Sequence, residues 1–397
     1  MANTILTPTM VTREALRVLH QKLNFIRSIN RQYDDQFAVT GAKIGTQLKI
    51  RLPNQYTVRT GATLQTNDTQ EQSVTLTLGT QKGVDLNFTS VDLTLSLDDF
   101  SKRILDPAMS VLAANIEADS LSMVNSVYNQ VNNQGQAMNM QQLLQARQNL
   151  VNNLAPAGDW TCLLNTQDNV DLVNNLKGLF QDSSAIAEQY TEGYMGRTGG
   201  FDIIENTLLQ PFASGSEVAA PSSTIVINGA NQTGSAINVT NGSAVTLNVG
   251  DVINLPGVFR VHPETRANTN VLQNFVVTSA LAANGTLLNI SPAIVTTGAL
   301  QNVSVAPTSG STIAKWGAAN TPYGMSVAFH EDAFTFATAD LVMPKGVDFA
   351  AREVMDGISM RIVRQYDINN DKFPARIDVY YGYLAMRPQL ACRIANH

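Results

Sequence analysis

AFHEDAFTFATADLVMPKGVDFAAREVMDGISMRIVRQYDINNDKFPARIDVYYGYLAMRPQLACRIA, residues 328 to 395, holds the pattern that decides the fold. Within it, two apolar-alternating runs flank a polar tip, Asp367-Ile-Asn-Asn-Asp-Lys372. Period-two alternation on both sides of a turn predicts a β-hairpin, because successive strand side chains face opposite sides of a sheet. No catalytic constellation accompanies these strands. Asp367-x-Asn369-x-Asp371 mimics the first half of a calcium loop, but Lys372 stands at the sixth position, where that loop needs glycine. Asp378 stands where a bidentate glutamate belongs, and the flanks read as strands instead of helices. The residues therefore read as a tight turn in which Asx side chains bond their own backbone.

Upstream, Ala213 to Gly317 is dominated by Thr, Val, Asn, Ser and Gly. Short β-rich segments (Thr224 to Asn228, Ala244 to Val249, Gln273 to Thr278) alternate with the turn dipeptides Asn228-Gly229, Asn241-Gly242 and Asn284-Gly285. That is an all-β pattern. Helical and mixed patterns precede it and the chain returns to β/α afterwards, so it reads as an inserted domain. Before it, Asp159 to Leu164 (DWTCLL) reads as a buried strand, and Thr166 opens a helix with Val170, Val173, Leu176 and Leu179 in phase. The Asn/Gln-rich stretch Asn129 to Asn153 reads as a loop, then a helix from about Asn139 with Leu143, Leu144, Ala146, Leu150 and Val151 as its apolar face. A longer helix opens with Asp106 as N-cap and Pro107 at the first helical position. It meets no breaker until about Val131, which predicts a rod of about 37 Å at 1.5 Å per residue.

Nearer the N-terminus, Val74, Leu76 and Leu78 alternate with Ser73, Thr75 and Thr77, as a half-buried strand requires. With a partner strand near Leu48 to Arg59 they predict a long hairpin whose tip is the polar stretch Thr60 to Gln70. Leu86 and Phe88 hold one parity while Val91, Leu93, Leu95 and Leu97 hold the other, so a bulge or break is expected at Thr89-Ser90. Thr12 to Arg31 reads as an amphipathic helix. Leu16, Leu19, Leu23 and Ile26 form its stripe, and Arg13, Arg17, Lys22, Arg27 and Arg31 lie on other faces. A helix this short is marginal alone in water, so neighbours or a partner are expected to order it.

Of the 397 residues, 15% are charged and 44% hydrophobic. Typical soluble domains are about 25% charged; a surface poor in Lys and Glu is cheaper to desolvate against another protein. The length predicts two or three domains. A net charge of −6 argues against binding that depends on phosphate neutralisation along a nucleic acid. Cys162 and Cys392 give neither a disulfide framework nor zinc spacing and read as buried free thiols. Met1 to Met10 lacks the features of a secretory signal, and no stretch approaches about 18 uninterrupted apolar residues.

His20, His262, His330 and His397 are scattered, and adjacent side chains in His330-Glu331-Asp332 would face opposite sides of a strand. Gly193 to Gly200 (GYMGRTGG) fits neither glycine-rich phosphate pattern and reads as a loop feeding the strand Phe201 to Ile204. Neither G-x-S-x-G nor H-E-x-x-H occurs. The residues predict no enzyme, no cofactor and no metal site.

The run Ala328 to Ala395, with Asp99 to Met109 (DFSKRILDPAM), Gly250 to Pro256 (GDVINLP) and the downstream FVVTSA, resembles major capsid proteins of tailed bacteriophages. The similar branch is the podovirus-type coat proteins, which carry an extra β-domain. The resemblance implies an α+β chain with the phage major capsid fold first described in Hong Kong 97 phage. Its parts would be an N-terminal arm (1–43), an extended β-hairpin loop with adjoining strands (44–97) and a peripheral domain with a long spine helix (98–135). An axial domain (136–212), an inserted all-β domain (213–317) and return strands of the axial and peripheral domains (318–397) would follow.

The resemblance further implies a structural subunit that self-assembles into the icosahedral shell enclosing double-stranded phage DNA, by way of a procapsid. Implied partners are copies of itself in pentamers and hexamers, a separate scaffolding protein (the chain opens directly with the arm), a portal protein, and packaged DNA bound without sequence specificity. No membrane is implied; the expected location is the virion capsid and, during assembly, the bacterial host cytoplasm. Candidate intersubunit contacts are Arg13, Glu14 and Arg17 in the arm, Arg59 and Asp68 in the extended loop, and Asp367, Asn369, Asn370, Asp371 and Lys372 at the hairpin tip. In the resembled fold that tip meets its copies near three-fold axes. Two other readings stay open: an encapsulin-like nanocompartment shell, disfavoured by the inserted domain, and a phage tail or adhesion protein, disfavoured by the long Ala-rich helix and the βα pattern.

Overall fold

The computed structural model describes residues 12, 15–17, 19, 23–32, 47–64, 71–89, 106–176, 196–355 and 358–396. In chain order the first elements are α1 (Asn24–Arg27), β1 (Gln47–Arg51), β2 (Ser73–Thr77), β3 (Thr80–Thr89), α2 (Asp106–Leu121), β4 (Gln130–Asn132) and α3 (Met140–Asn152). Then come β5 (Trp160–Leu164), α4 (Thr166–Leu176), β6 (Arg197–Thr198), β7 (Phe201–Glu205) and β8 (Phe212–Ala213). An all-strand stretch follows: β9 (Val226–Ile227), β10 (Gly234–Thr240), β11 (Val252–Val261), β12 (Asn268–Val277), β13 (Leu287–Ile294) and β14 (Ala314–Lys315). The chain ends with β15 (Pro322–Tyr323), β16 (Met325–His330), β17 (Thr335–Thr338), β18 (Phe349–Met355), β19 (Ile358–Arg364), β20 (Lys372–Leu384) and β21 (Ala391–Ala395). Two compact units result: Met1–Arg51, Ser73–Leu121 and Phe334–Met386 form one; Leu52–Gln72, Ser122–Ala333 and Arg387–His397 form the other.

The first unit is organised by β20. This strand of 13 residues pairs with β3 along one edge and with β19 and β17 along the other, all antiparallel, and β18 continues the sheet beyond β19. β3 comes so close that a Cβ on Gly83 would stand 2.4 Å from the Ile377 carbonyl oxygen, so only glycine fits there. β1 and β2 form the predicted hairpin, with Leu48 opposite Leu76 and Ile50 opposite Val74. Its strands are shorter than expected: Leu52 N–H still donates to the Gln72 carbonyl at 2.9 Å, and residues 53–64 form no strand. The parity switch expected after Thr89 lies outside the described residues.

α2 buries Met109, Leu112, Ala113, Ile116 and Leu121. It also presents Asp119, which accepts a hydrogen bond from the Tyr381 hydroxyl at 2.7 Å and pairs with the Lys82 amine at 2.8 Å. Burial and that hydrogen bond push the Tyr381 phenol up. The helix is shorter than predicted. It ends at Leu121 and passes into a 3-10 turn, Ser122–Ser126, giving a rod of about 24 Å. Ser120 Oγ donates back to the Ile116 carbonyl at 2.9 Å, a bond that competes with the helix. The poor helix formers Ser122, Val124, Asn125 and Ser126 then follow. Beyond them, pairing of Gln130 to Asn132 with β21 claims the backbone.

The leucine stripe of the N-terminal segment corrects another expectation. Leu16, Leu19, Leu23, Phe25 and Ile26 are buried within the chain itself. The Phe25 ring meets Phe334 edge-on with centroids 5.6 Å apart, its N–H donates to Glu117 Oε1 at 3.2 Å, and Asn30 bridges to Thr335. Leu23, at φ −88° and ψ 86°, interrupts the single helix expected over residues 12 to 31. At its Phe25 end the stripe is covered by α2 and the Phe334 segment inside the same unit.

In the second unit a mixed sheet runs β4-β21-β16-β5-β7-β6. β21 with β4 and β5 with β7 are parallel, while β16 is antiparallel to both its neighbours. Trp160, Cys162, Leu164, Phe201, Ile203, Ala328, Cys392 and Ile394 line one core face. α3 packs there through Leu143, Ala146 and Leu150, while Leu144 and Val151 are exposed, so its apolar stripe is narrower than predicted. A capping box at Asn139 and Gln142 starts α3. Among the described side chains of α4, Asp168 and Leu172 are buried, and Val170 is 61% exposed. Of the expected stripe, Val173 packs against this core while Val170 does not, and the side chains of Leu176 and Leu179 lie outside the described residues; Asp168 turns inward instead, accepting from Ser326 Oγ at 2.5 Å and from Asn165 Nδ2 at 2.9 Å. Cys162 and Cys392 both pair with Ala328 from opposite sides. That places them two strand spacings apart, about 10 Å, beyond disulfide reach. Burial pushes the Cys392 thiol up to about 12.

The all-β stretch forms a sheet in the order β14-β11-β12-β13-β10-β9. Val226 on β9 bridges back to Thr312, Ile227 N–H donates to the Ser311 carbonyl at 2.9 Å, and Ile313 N–H to the Ile225 carbonyl at 3.0 Å, so the sheet closes into a barrel. Its inside is apolar, with Ile227, Ile237, Val239, Ile253, Leu255, Phe275, Val277, Leu288 and Ile290 all buried. The chain enters and leaves through a two-stranded ribbon in which Phe212 pairs with Tyr323 and Ala213 with Pro322.

Where barrel and mixed sheet meet, Arg393 is fully buried, donates Nη2 to the Gly250 carbonyl at 2.8 Å and lies 5.6 Å over the Phe212 ring. Asp251 beside it accepts N–H bonds from Asn248 at 2.7 Å and Gly215 at 3.1 Å, while burial holds its carboxyl above the ordinary range. Lys315 is buried too, its amine bonded to the Glu217 and Gly317 carbonyls.

Candidate functional site

The hairpin between β19 and β20 brings five of the predicted residues together. Asp367 and Lys372 face each other across the turn, with Asp367 N–H donating to the Lys372 carbonyl at 2.8 Å. The Asp367 carboxylate accepts from Asn369 N–H at 3.0 Å and from Asn370 Nδ2 at 2.7 Å. These bonds, the Asn370 side chain first, hold its carboxyl below the usual range. Asp371 closes the turn in the left-handed region at φ 49°, which Asp tolerates better than most residues.

This is the Asx-stabilised turn that the spacing predicts. It sits on a cation–aromatic base. The Tyr366 and Phe373 rings lie 4.9 Å apart, and Arg364 stands 5.3 Å over Phe373 while pairing with Asp348 at 2.8 Å. Asp378, weighed above as a calcium ligand position, is buried instead between Arg361 at 2.7 Å and Arg376 at 2.9 Å. Both its oxygens are committed. Among the described residues no group of three or more His, Cys, Asp and Glu side chains could hold a metal ion.

Asn369, Asn370, Asp371 and Lys372 are exposed. Sequence reasoning missed their neighbour Ile368, which is 80% exposed at the tip. A lone apolar residue inside DINNDK was the available signal. The stretch 52–64, expected as part of an extended loop, shows the same character: Tyr56, Val58 and Leu64 are 68%, 94% and 76% exposed. Arg59 is exposed but bends back, bonding the carbonyls of Gly61 and Thr63. Arg17 is exposed on a segment whose apolar side is buried. Arg13, Glu14 and Asp68 lie outside the described residues.

The glycine-rich loop is a turn. Gly199 and Gly200, at φ 62° and 92°, join β6 to β7, and Arg147 Nη1 from α3 donates to the Gly199 carbonyl at 3.1 Å. His330 accepts at Nδ1 from the Asp332 N–H at 3.2 Å, a local backbone bond.

Residues 9–393 match the family described as P22 coat protein - gene protein 5. The chain belongs to this coat protein family. It is therefore a structural protein of a phage capsid, where copies of the coat protein form the shell, and not an enzyme. No curated protein matches the chain.

Among solved structures, a Mycobacterium phage Che8 chain is similar at 12% identity, with 92% of this coat protein and 89% of that chain covered and a TM-score of 0.48. A chain of the capsid of Cyanophage P-SCSP1u is similar at 11% identity, coverage of 89% and 84%, and a TM-score of 0.44. For the capsid of Helicobacter pylori bacteriophage KHP30 the values are 11%, 94%, 91% and 0.43. Among the described residues of this coat protein, no helix is long and apolar enough to cross a membrane.

Proposed function

We propose that this coat protein builds an icosahedral shell as pentamers and hexamers of itself. It would assemble in the bacterial cytoplasm on a separate scaffolding protein, incorporate a portal ring at one vertex, and enclose double-stranded DNA without reading its sequence. The observation that carries the assembly reading is the tip Asp367–Lys372. The Asp367 and Asn370 side chains bond within the turn, which favours one shape and leaves Ile368 and Lys372 exposed to meet another surface. A preorganised knob loses little entropy on docking. Net acidity suits a container that holds DNA without gripping it.

We further assign an N-terminal arm to 1–43, the extended loop and its strands to 44–97, a peripheral domain to 98–135, an axial domain to 136–212 and an inserted β-domain to 213–317, with return strands in 318–397. Support comes from the closed barrel inside 213–317 and from the sheet that β20 completes in the first unit. Arg17, Arg59, Asp367, Asn369, Asn370, Asp371 and Lys372 remain proposed intersubunit contacts, with Arg13, Glu14 and Asp68 beside them.

Lys372→Glu tests the reading. A desolvated charge contact broken across an interface costs about 2–5 kcal/mol, repeated at every copy. The variant subunit should melt like the parent but yield few closed particles in negative-stain electron microscopy, with or without scaffold. Shells of normal size and yield would remove the tip from the interface.

A further inference from the structure

A cavity of about 630 Å³ opens in the second unit, and no role described so far uses it. Its lining holds three arginines, Arg260, Arg266 and Arg387, against one acid, Glu264. The buried Tyr128 also lines it. Among the described residues, the guanidinium groups of Arg260 and Arg387 make no ion pair and no hydrogen bond. Arg266 is held in place by the carbonyls of Gln301 and Ala299 and by Gln55 Oε1 at 3.0 Å, while its Nε is buried without a partner. The Tyr128 hydroxyl likewise has no hydrogen bond to a described residue, and burial pushes that phenol up.

Half-buried guanidinium groups without counter-charges lose part of their hydration and gain no acceptor for it from the protein. A cavity with an excess of cations concentrates anions. Guanidinium forks suit a tetrahedral oxyanion, whose several oxygens can each take an N–H or a hydroxyl. Burial also takes Arg260 below the ordinary arginine range, the direction an approaching anion would reverse.

We propose that this cavity binds a phosphate group, with Arg260 and Arg387 as its main cations and the Tyr128 hydroxyl as a further donor. At about 630 Å³ the space exceeds one phosphate and falls within the usual size of ligand pockets. It therefore accommodates either the free anion or a phosphate ester.

The test is calorimetry and thermal melting of the full, unassembled chain with inorganic phosphate and, separately, adenosine monophosphate, against sodium chloride at equal ionic strength. Phosphate should bind and raise the melting temperature. Arg260→Gln should weaken binding about ten-fold, the scale of one charge-assisted hydrogen bond. Tyr128→Phe, which keeps the ring in place, should weaken it about three-fold. Tighter binding of the monophosphate would identify an ester as ligand, and equal or tighter binding of phosphate would identify the free anion. No binding beyond the chloride control overturns the site, as does unchanged affinity in both variants. Should Arg260→Gln fail to fold, Arg387→Gln takes its place beside Tyr128→Phe.

Discussion

The barrel of the second unit and the β20-centred sheet of the first are both antiparallel, yet they end differently. The barrel returns to itself through Val226 and Thr312, so its ladder leaves little free edge. Among the described residues the other sheet stops at β18, and the hairpin that opens its longest strand, β20, ends in the exposed Asp367–Lys372 tip. Closure spends backbone hydrogen bonds internally, while an open sheet keeps edges and tips that must be guarded or used. Arg352 and Glu353 on β18 are such guards, with Arg352 reaching Asp340 at 3.2 Å. Stability should therefore concentrate in the barrel and association in the open sheet.

The strongest way to break that contrast is inside the barrel. Phe275 is fully buried there, so Phe275→Ala should cost about 3–5 kcal/mol. Chemical denaturation of the unassembled chain measures it; a loss under about 1 kcal/mol would mean the barrel is not a tightly packed core. Smaller is the effect of Asp251 at the barrel's base. Its folded pKa lies above the ordinary carboxylate value because burial disfavours the anion. The folded state thus holds its proton more tightly than the unfolded state, and this residue's contribution declines as pH rises from that ordinary value through the raised one. Asp251→Asn should flatten that part of the stability-versus-pH curve, as thermal melts across the acid range would show. A slope unchanged in the variant would assign the acid response elsewhere. Smallest for the lone subunit is Ile368→Ser, expected to shift stability by no more than about 0.5 kcal/mol. Particle yield should nonetheless fall, and intact yield would confine the interface to the charged tip residues.

Much of this was legible locally. Alternation at Val74, Leu76 and Leu78 marked a strand, Asn139 and Gln142 marked a helix start, and the Asx residues of DINNDK marked their turn. What escaped depends on distant partners. Leu16 and Leu19 announced an apolar stripe, but nothing nearby in sequence said that the chain itself would cover it. On α4, Val173 packs inward as its periodicity said, but Val170 is exposed and a buried aspartate, satisfied by Ser326 far along the chain, faces inward, which hydrophobic periodicity did not signal. Barrel closure rests on residue 226 meeting residue 312, a register that no local pattern encodes. For the candidate contacts the limit is stricter, since a surface that meets another copy has no partner within one chain.

The ribbon of Phe212–Ala213 against Pro322–Tyr323 has an architectural consequence. Both ends of the long excursion stand side by side, at the spacing of paired strands, so the backbone passes from mixed sheet to barrel and back through a single doorway. The amount of polypeptide beyond the doorway does not alter where the doorposts stand, and loop closure grows only slowly with length. The barrel is thus a cartridge: a tip such as residues 265–270 can be lengthened, or the whole cassette exchanged, while the strands that receive it stay in register.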